Sequence, residues 1–238
     1  MRSLSIGSPA IDEKGRQYIA INPLPAKYCN YDCIYCPYGP TEVKSIKRFN
    51  FEGTSELLAR LEKTIENDEG IEVVFIDARG EAAANDKLGD ILYTVKSHNR
   101  KLRVVSNGYL LNHPDYKSTY QMCDEVIGEI AATDENDFLK VCRPLEGHTL
   151  AGLVKNLADF RADYAGHFIL SIIAIKGFMD TDEKLARLMG IIGAISPDEI
   201  RIETKKKGRG KKKYGLDEAE LTLIHDTLER SAHEVLIV

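Results

Sequence analysis

The chain of 238 residues contains no tryptophan, only five cysteines and no excess of positive charge. No apolar run in it approaches the roughly 20 residues of a membrane-spanning helix, so membrane insertion is not expected. The net charge of −5 supplies no global field for gathering polyanions, and any affinity for nucleic acid has to be local. Residues 1–22 hold one early arginine but no continuous apolar segment ahead of a small-residue cleavage site. No secretory signal is therefore read there, and a cytoplasmic location is expected. In a reducing compartment five cysteines are not assumed to pair, and a cluster of them points to metal binding or catalysis before disulfides. With 43% hydrophobic and 29% charged residues the composition is that of a globular chain, and the length suits one medium α/β domain.

What is present is an alternation. Strand candidates are Gln17–Asn22, Ile71–Asp77, Lys101–Ser106, Glu125–Ala131, His167–Ile175 and Glu199–Thr204, several of them nearly continuous apolar, β-branched runs. Apolar residues at helical spacing mark Thr54–Ile65, Lys87–His98, Thr149–Arg161, Thr181–Ile195 and Asp217–Glu229 as helices between and after them, and the terminal HEVLIV is a further short strand candidate. About six alternations predict parallel βαβ units, closing or nearly closing into a barrel, or forming a doubly wound sheet. Chemistry in such folds sits at the carboxyl ends of the strands. Three unusual segments follow the first three strand candidates: the stretch KYCNYDCIYCPYGPT (27–41), Ala78-Arg79-Gly80-Glu81 and Ser106-Asn107-Gly108. They are expected to share one rim.

Cys29-x3-Cys33-x2-Cys36 places three thiols within eight residues of one loop. Structural zinc normally takes four ligands, often as two pairs, and no second Cys-x2-Cys or His pair lies nearby. Cys123 and Cys142 stand singly and far along the chain, and single intracellular cysteines are most often small buried apolar residues. The six histidines are scattered without metal spacing. Three thiolates around a 4Fe-4S cluster leave one iron without a protein ligand, where a small molecule can coordinate.

The spacing, with Tyr35 directly before the last cysteine, resembles the signature of the radical S-adenosylmethionine (radical SAM) superfamily. Arg79-Gly80-Glu81 is similar to the Gly-Gly-Glu element at the end of that superfamily's second strand, with arginine in the first glycine position. Further stretches resemble the subgroup of wyosine-base synthases and small cofactor-modifying or activating members: GEAAAN (80–85), SNG (106–108), FLKVCRP (138–144) and IKGFMD (175–180). Ala82, Ala131 and Met179 depart from proline, aspartate and asparagine at the corresponding places, so contacts there are not carried over.

The resemblance implies a partial (β/α)6 TIM-type barrel forming a single domain over residues 1–238, with its core at about 17–204 and a C-terminal helix and strand within 216–238. It implies a 4Fe-4S cluster on Cys29, Cys33 and Cys36, and S-adenosylmethionine chelating the open iron. One electron, from a low-potential donor of flavodoxin or ferredoxin type, then cleaves SAM to methionine and a 5′-deoxyadenosyl radical that takes hydrogen from a substrate. Tyr35 would flank the adenine, Gly80 and Glu81 would hold the methionyl ammonium, and Asn107 and Glu129 would contact ribose or carboxylate. Arg143 is a candidate for the SAM carboxylate, since an arginine fork holds a carboxylate bidentately. The run KKKGRGKKK (205–213) carries seven positive charges in nine residues without the Gly-x4-Gly-Lys-Ser/Thr pattern of a phosphate loop. After the sixth strand it would lie at the rim, where it suits a phosphate-rich substrate such as tRNA, although charge runs are often solvated loops. A barrel this small is open at one side, to be covered by a macromolecular substrate, a homodimer partner or that loop. An enzyme activating a protein partner, and a non-enzymatic Fe–S carrier or sensor, are the alternatives.

Overall fold

The computed structural model describes residues 4–204, 211–229 and 234–238. The chain begins with short strands β1 (Ser5–Ile6) and β2 (Ala10–Ile11), then β3 (Gln17–Asn22), and a small pair β4 (Tyr28–Cys29) and β5 (Val43–Lys44). There follow α1 (Thr54–Asn67), β6 (Val73–Ile76), α2 (Leu88–Ser97), β7 (Lys101–Ser106), α3 (Lys117–Tyr120), β8 (Glu125–Ile130) and α4 (Glu135–Cys142). The last part holds α5 (Leu150–Asp163), β9 (His167–Ala174), α6 (Asp182–Ile195), β10 (Glu199–Thr204), α7 (Lys211–Tyr214), α8 (Glu218–Glu229) and β11 (Glu234–Ile237).

Strands β3, β6, β7, β8, β9, β10 and β11 lie in that order and pair in parallel, as six βα units demand. β1 and β2 pair antiparallel with β3. Among the described residues no pairing joins β3 to β11, so the sheet curls into a partial barrel and does not close. The helices cover its outside through apolar faces: α1 buries Leu57, Leu61 and Ile65, and α6 buries Leu185, Leu188, Ile192 and Ile195. Side chains of Thr149 and Thr181 cap α5 and α6 by accepting from the backbone N–H groups of Gly152 and Lys184.

Alternation along β10 sends apolar residues outward to the helices and charged ones inward. In β10, Ile200 and Ile202 are buried on one side while Glu199, Arg201 and Glu203 alternate with them. At the amino-terminal end of the barrel the β2–β3 hairpin folds under the sheet and its charges interlock with that interior. Arg16 binds Asp12 and Glu125, Arg103 binds Asp12 and Glu125, Lys14 binds Glu199, and Arg201 binds Glu13 and Glu199. Hairpin contacts to both β8 and β10 are possible only because the sheet is curved.

Burial alone would raise the Glu199 carboxyl, but hydrogen bonds from Lys14, His167 and Arg201 override it and hold the group down at about 2. Asp12 is likewise held at about 2, where burial is outweighed by hydrogen bonds from Arg16 and Lys14. Both carboxyls are depressed in the fold, so their contribution is complete above their ordinary values of 4.5 and 3.8 and is lost as pH falls toward about 2. The melting temperature is therefore expected to drop through that acid window. Glu199→Gln should cost about 3 kcal/mol at neutral pH, by removing the anion shared by the buried Arg201 and the partly exposed Lys14 and His167, and should flatten the acid decline. Thermal unfolding across pH checks both.

Candidate functional site

Above the ionic layer, at the carboxyl ends of the strands, the barrel holds a cavity of about 620 Å³. Cys29, Cys33 and Cys36 line one wall, with Tyr35 between them. Gly80 after β6, Asn107 after β7 and Glu129 on β8 line the others. The three segments expected to share a rim do share it.

The cysteine loop leaves β3 through Asn22, whose side chain donates to the Leu24 carbonyl (2.8 Å) and accepts from Arg79 N–H (2.9 Å). The buried Lys27 ammonium ties the start of the loop to the Gly39 carbonyl (2.6 Å), and Thr41 is bonded back to Asp32 and to the Tyr31 carbonyl. The end of α4 supports the other side: Asp32 N–H donates to the Cys142 carbonyl (3.0 Å) and Ile34 N–H to that of Val141 (2.9 Å). Residue 80 has to be glycine, because a Cβ there would overlap the Tyr28 carbonyl oxygen, the same oxygen that accepts from Glu81 N–H at 2.8 Å.

Glu81 is buried, and its carboxylate lies behind the cavity wall. One oxygen accepts from the Tyr120 hydroxyl, the other from Ser106 Oγ (3.1 Å) and Asn107 N–H (3.2 Å). Burial raises its pKa, against the lowering effect of those hydrogen bonds. Asn107, held in this way, donates from Nδ2 to Asn30 Oδ1 (2.6 Å) and lies 3.6 Å from Cys29 Sγ. Glu129 faces the cavity with its carboxyl pushed up to about 8 by burial, and then by the nearby carboxylates of Glu203, Glu81 and Asp77. Arg143 is not among the residues lining the cavity. It stands half-exposed at the end of α4 in the left-handed region (φ 44°), 3.7 Å from Asp32.

Several participants carried no clear signal in the sequence. Asp77, Glu203 and Arg201 line the cavity, and the charge-apolar alternation Glu-Ile-Arg-Ile-Glu of β10 was the trace of a polar barrel interior. Tyr120 is identified only by its tertiary contact with Glu81. Cys142 is buried, as expected of a single apolar cysteine, and its backbone carbonyl meets the cysteine loop at Asp32.

The donor set suits an iron–sulfur cluster. Asn30 Nδ2 and the Tyr31 hydroxyl are buried and have no hydrogen-bond partner among the described residues. Both belong to the segment between Cys29 and Cys33, and the Tyr31 hydroxyl is electrostatically coupled to Cys142, Cys33 and Cys29. Three thiolates carrying a group rich in sulfide acceptors would satisfy such donors. Burial and then Glu81 push the Cys29 thiol up, and Cys142 and then burial push that of Cys33 up.

No family model matches the chain. It is 23% identical to a protein named GTPase Obg from Brachyspira hyodysenteriae, over 93% of this chain and 33% of that one. It is 23% identical to a UPF0026 protein of Methanocaldococcus jannaschii (78% and 59%) and 24% to one of Helicobacter pylori (90% and 70%). The chain thus spans about a third of the first relative and under two thirds of the second. Among solved structures it is similar to a radical SAM methyltransferase from Sphaerobacter thermophilus (TM-score 0.68, 9% identity, 99% of this chain and 76% of that one). It is also similar to TYW1 with a lysine-pyruvate adduct bound (0.65, 15%, 90% and 73%) and to Streptococcus suis SuiB bound to S-adenosylmethionine (0.66, 15%, 92% and 49%). The partial barrel of parallel strands is the fold of these radical SAM enzymes. Among the described residues no helix is long and apolar enough to cross a membrane.

Glu129 yields a direct check of the cavity electrostatics. Its raised carboxyl means that the fold loses stability as pH rises from the ordinary 4.5 to about 8, because only the unfolded chain ionises readily there. Glu129→Gln should melt above the wild type, the gap widening by up to about 1.4 kcal/mol per pH unit across that window and then levelling.

Proposed function

We propose that this chain, whose fold is the one shared by radical SAM enzymes, is itself such an enzyme, holding a 4Fe-4S cluster on Cys29, Cys33 and Cys36. The observation that carries the reading is the set of three thiols on one cavity wall, with no fourth cysteine among the described residues that line it. When bound, such a cluster would supply one-electron reduction of the sulfonium of S-adenosylmethionine, the chemistry that yields methionine and a 5′-deoxyadenosyl radical able to remove hydrogen from a substrate.

The chain's own residues bind, orient and dry the site. Gly80 brings backbone up to the cavity, and its turn receives the methionyl ammonium. Glu81 acts there through the residues it holds, Ser106 and Asn107. Glu129, protonated at neutral pH, donates to an oxygen of the ribose or carboxylate. Tyr35 flanks the adenine. Phe75, Val105, Ile127, Ile173 and Ile175 give the cavity an apolar lining that excludes water from the reacting atoms.

For the substrate, the favoured class is a phosphate-rich molecule such as tRNA. Glu203 and Thr204 line the cavity and immediately precede the basic run 205–213 in the sequence. Residues 205–210 lie outside the described residues, and 211–213 belong to α7. A flavodoxin- or ferredoxin-type donor supplies the electron.

Anaerobic reconstitution with iron and sulfide, followed by reduction and chromatography for 5′-deoxyadenosine, tests the reading. The wild type should cleave SAM, and Cys29→Ala, Cys33→Ala and Cys36→Ala should each lower the yield at least about 100-fold, the scale expected when a cofactor ligand is lost. An intact cluster with no cleavage contradicts it. On the same preparations, tRNA retention should fall when the lysines and arginine of 205–213 are neutralised, and unchanged retention excludes a role for that run.

A further inference from the structure

We infer that Asn107 donates a side-chain hydrogen bond to the metal-ligating sulfur of Cys29, and that this contact raises the reduction potential of the cluster. The inference rests on the cluster reading above, and it gives Asn107 a task other than the ribose or carboxylate contact that the family resemblance implies.

Asn107 follows β7 and lines the cavity together with Cys29. Its backbone N–H is fixed on Glu81 Oε2 (3.2 Å) and the Gly108 N–H on Ser106 Oγ (3.1 Å), with Gly108 in the left-handed region (φ 88°) to make the turn. The Asn107 carboxamide closes that turn. Its Oδ1 accepts from the Tyr109 N–H at 3.1 Å, and the Tyr109 carbonyl is held in its turn by Asn156 Nδ2 (3.0 Å). A backbone N–H can only donate, so the atom facing Tyr109 is the oxygen, and Nδ2 is the atom that faces the cysteine loop. There its two hydrogens meet two acceptors, Asn30 Oδ1 at 2.6 Å and Cys29 Sγ at 3.6 Å. Because Asn107 presents a donor, Asn30 turns its oxygen toward it, which leaves Asn30 Nδ2 buried and without a partner among the described residues. Both amide orientations thus follow from one backbone N–H, and neither hydrogen of Asn107 is left over for a ribose.

Around Cys29 Sγ stand Asn107 Nδ2, the Tyr31 N–H at 3.5 Å and, as acceptor for the thiol proton, Asn30 Oδ1 at 3.9 Å. A sulfur bound to iron has given up that proton, and its remaining lone pairs are then shared by the two N–H donors. The ionised sulfur is the stronger acceptor, so ligation strengthens both bonds. A hydrogen bond to a ligand sulfur favours the reduced cluster, which carries one more negative charge, and so moves the potential upward. The Tyr31 donor belongs to the backbone, whereas that of Asn107 can be removed by substitution. Asn107 is a tuning residue, and Cys29 is the ligand through which it acts.

The test is an anaerobic redox titration, followed by electron paramagnetic resonance, of cluster-loaded wild type, Asn107→Leu and Asn107→Asp. Leucine keeps the shape and removes the donor, while aspartate keeps the oxygen that accepts from Tyr109 and puts an acceptor in the donor's place. Both variants are expected to hold the wild-type amount of iron and to titrate at more negative potentials, the aspartate lowest because it adds charge. Should the leucine variant fail to load, Asn107→Ala is read in its place. In wild type whose asparagines are isotope-labelled at the side-chain nitrogen, hyperfine spectroscopy of the reduced cluster is expected to show a nitrogen coupling that Asn107→Leu loses. Equal potentials in loaded wild type and loaded donor-free variant overturn the inference and leave the cluster reading standing. A labelled wild type without the coupling overturns it whatever the variants do. A wild type that takes up no cluster, seen as missing visible absorbance, sinks both.

Discussion

No side chain fits between residue 80 and the carbonyl of Tyr28, and that steric constraint ties the cysteine loop to the second strand of the barrel core. From there the contacts run in a circuit. The Tyr28 carbonyl takes the Glu81 N–H, Glu81 takes Ser106 and Asn107, and Asn107 returns to Asn30 and Cys29, one residue beyond the starting point. Each link fixes the next, so the first thiol of the loop is placed by groups on β6 and β7 as much as by its own backbone. A buried carboxylate is expensive unless its oxygens are satisfied, and the three donors on Glu81 meet that cost while aligning the circuit.

The barrel interior is divided by the same economy of charge. At the amino-terminal end, carboxylates and guanidiniums interlock and hold Asp12 and Glu199 ionised at low pH. At the carboxyl end no cation among the described residues offsets burial at Asp77 and Glu129, and their carboxyls are raised. The lower layer is a plug whose ions are spent on one another. The upper layer keeps its polar groups available to a ligand.

Much of this arrangement was legible in the residues. All six main strands and all five helices expected from periodicity are present, with ends displaced by at most two residues, because long apolar runs and helical faces report burial directly. HEVLIV became β11, a seventh parallel strand. The two-residue strands β1, β2, β4 and β5 were not legible, since so short a segment has no period to read. α3, α4 and α7 were missed for a related reason, since none spans much more than two turns: α4 depends on its Asp134 cap and on Phe138 and Val141 finding the core, and 211–213, expected within a basic loop, belong to α7. At the site, the cysteine spacing marked the loop, and Gly80, Asn107 and Glu129 reached the same cavity. That Glu81 would turn its carboxylate onto Tyr120, and that Arg143 would stand beside Asp32, depends on tertiary neighbours that spacing does not encode.

The proposed cluster on three thiols would leave one iron without a protein ligand, so the most direct measurement looks at that position. The reconstituted protein is reduced anaerobically and its electron paramagnetic resonance spectrum recorded before and after addition of S-adenosylmethionine. A change in the g-values of the reduced cluster on addition is the predicted result. A reduced four-iron cluster whose spectrum is indifferent to saturating S-adenosylmethionine would contradict the account.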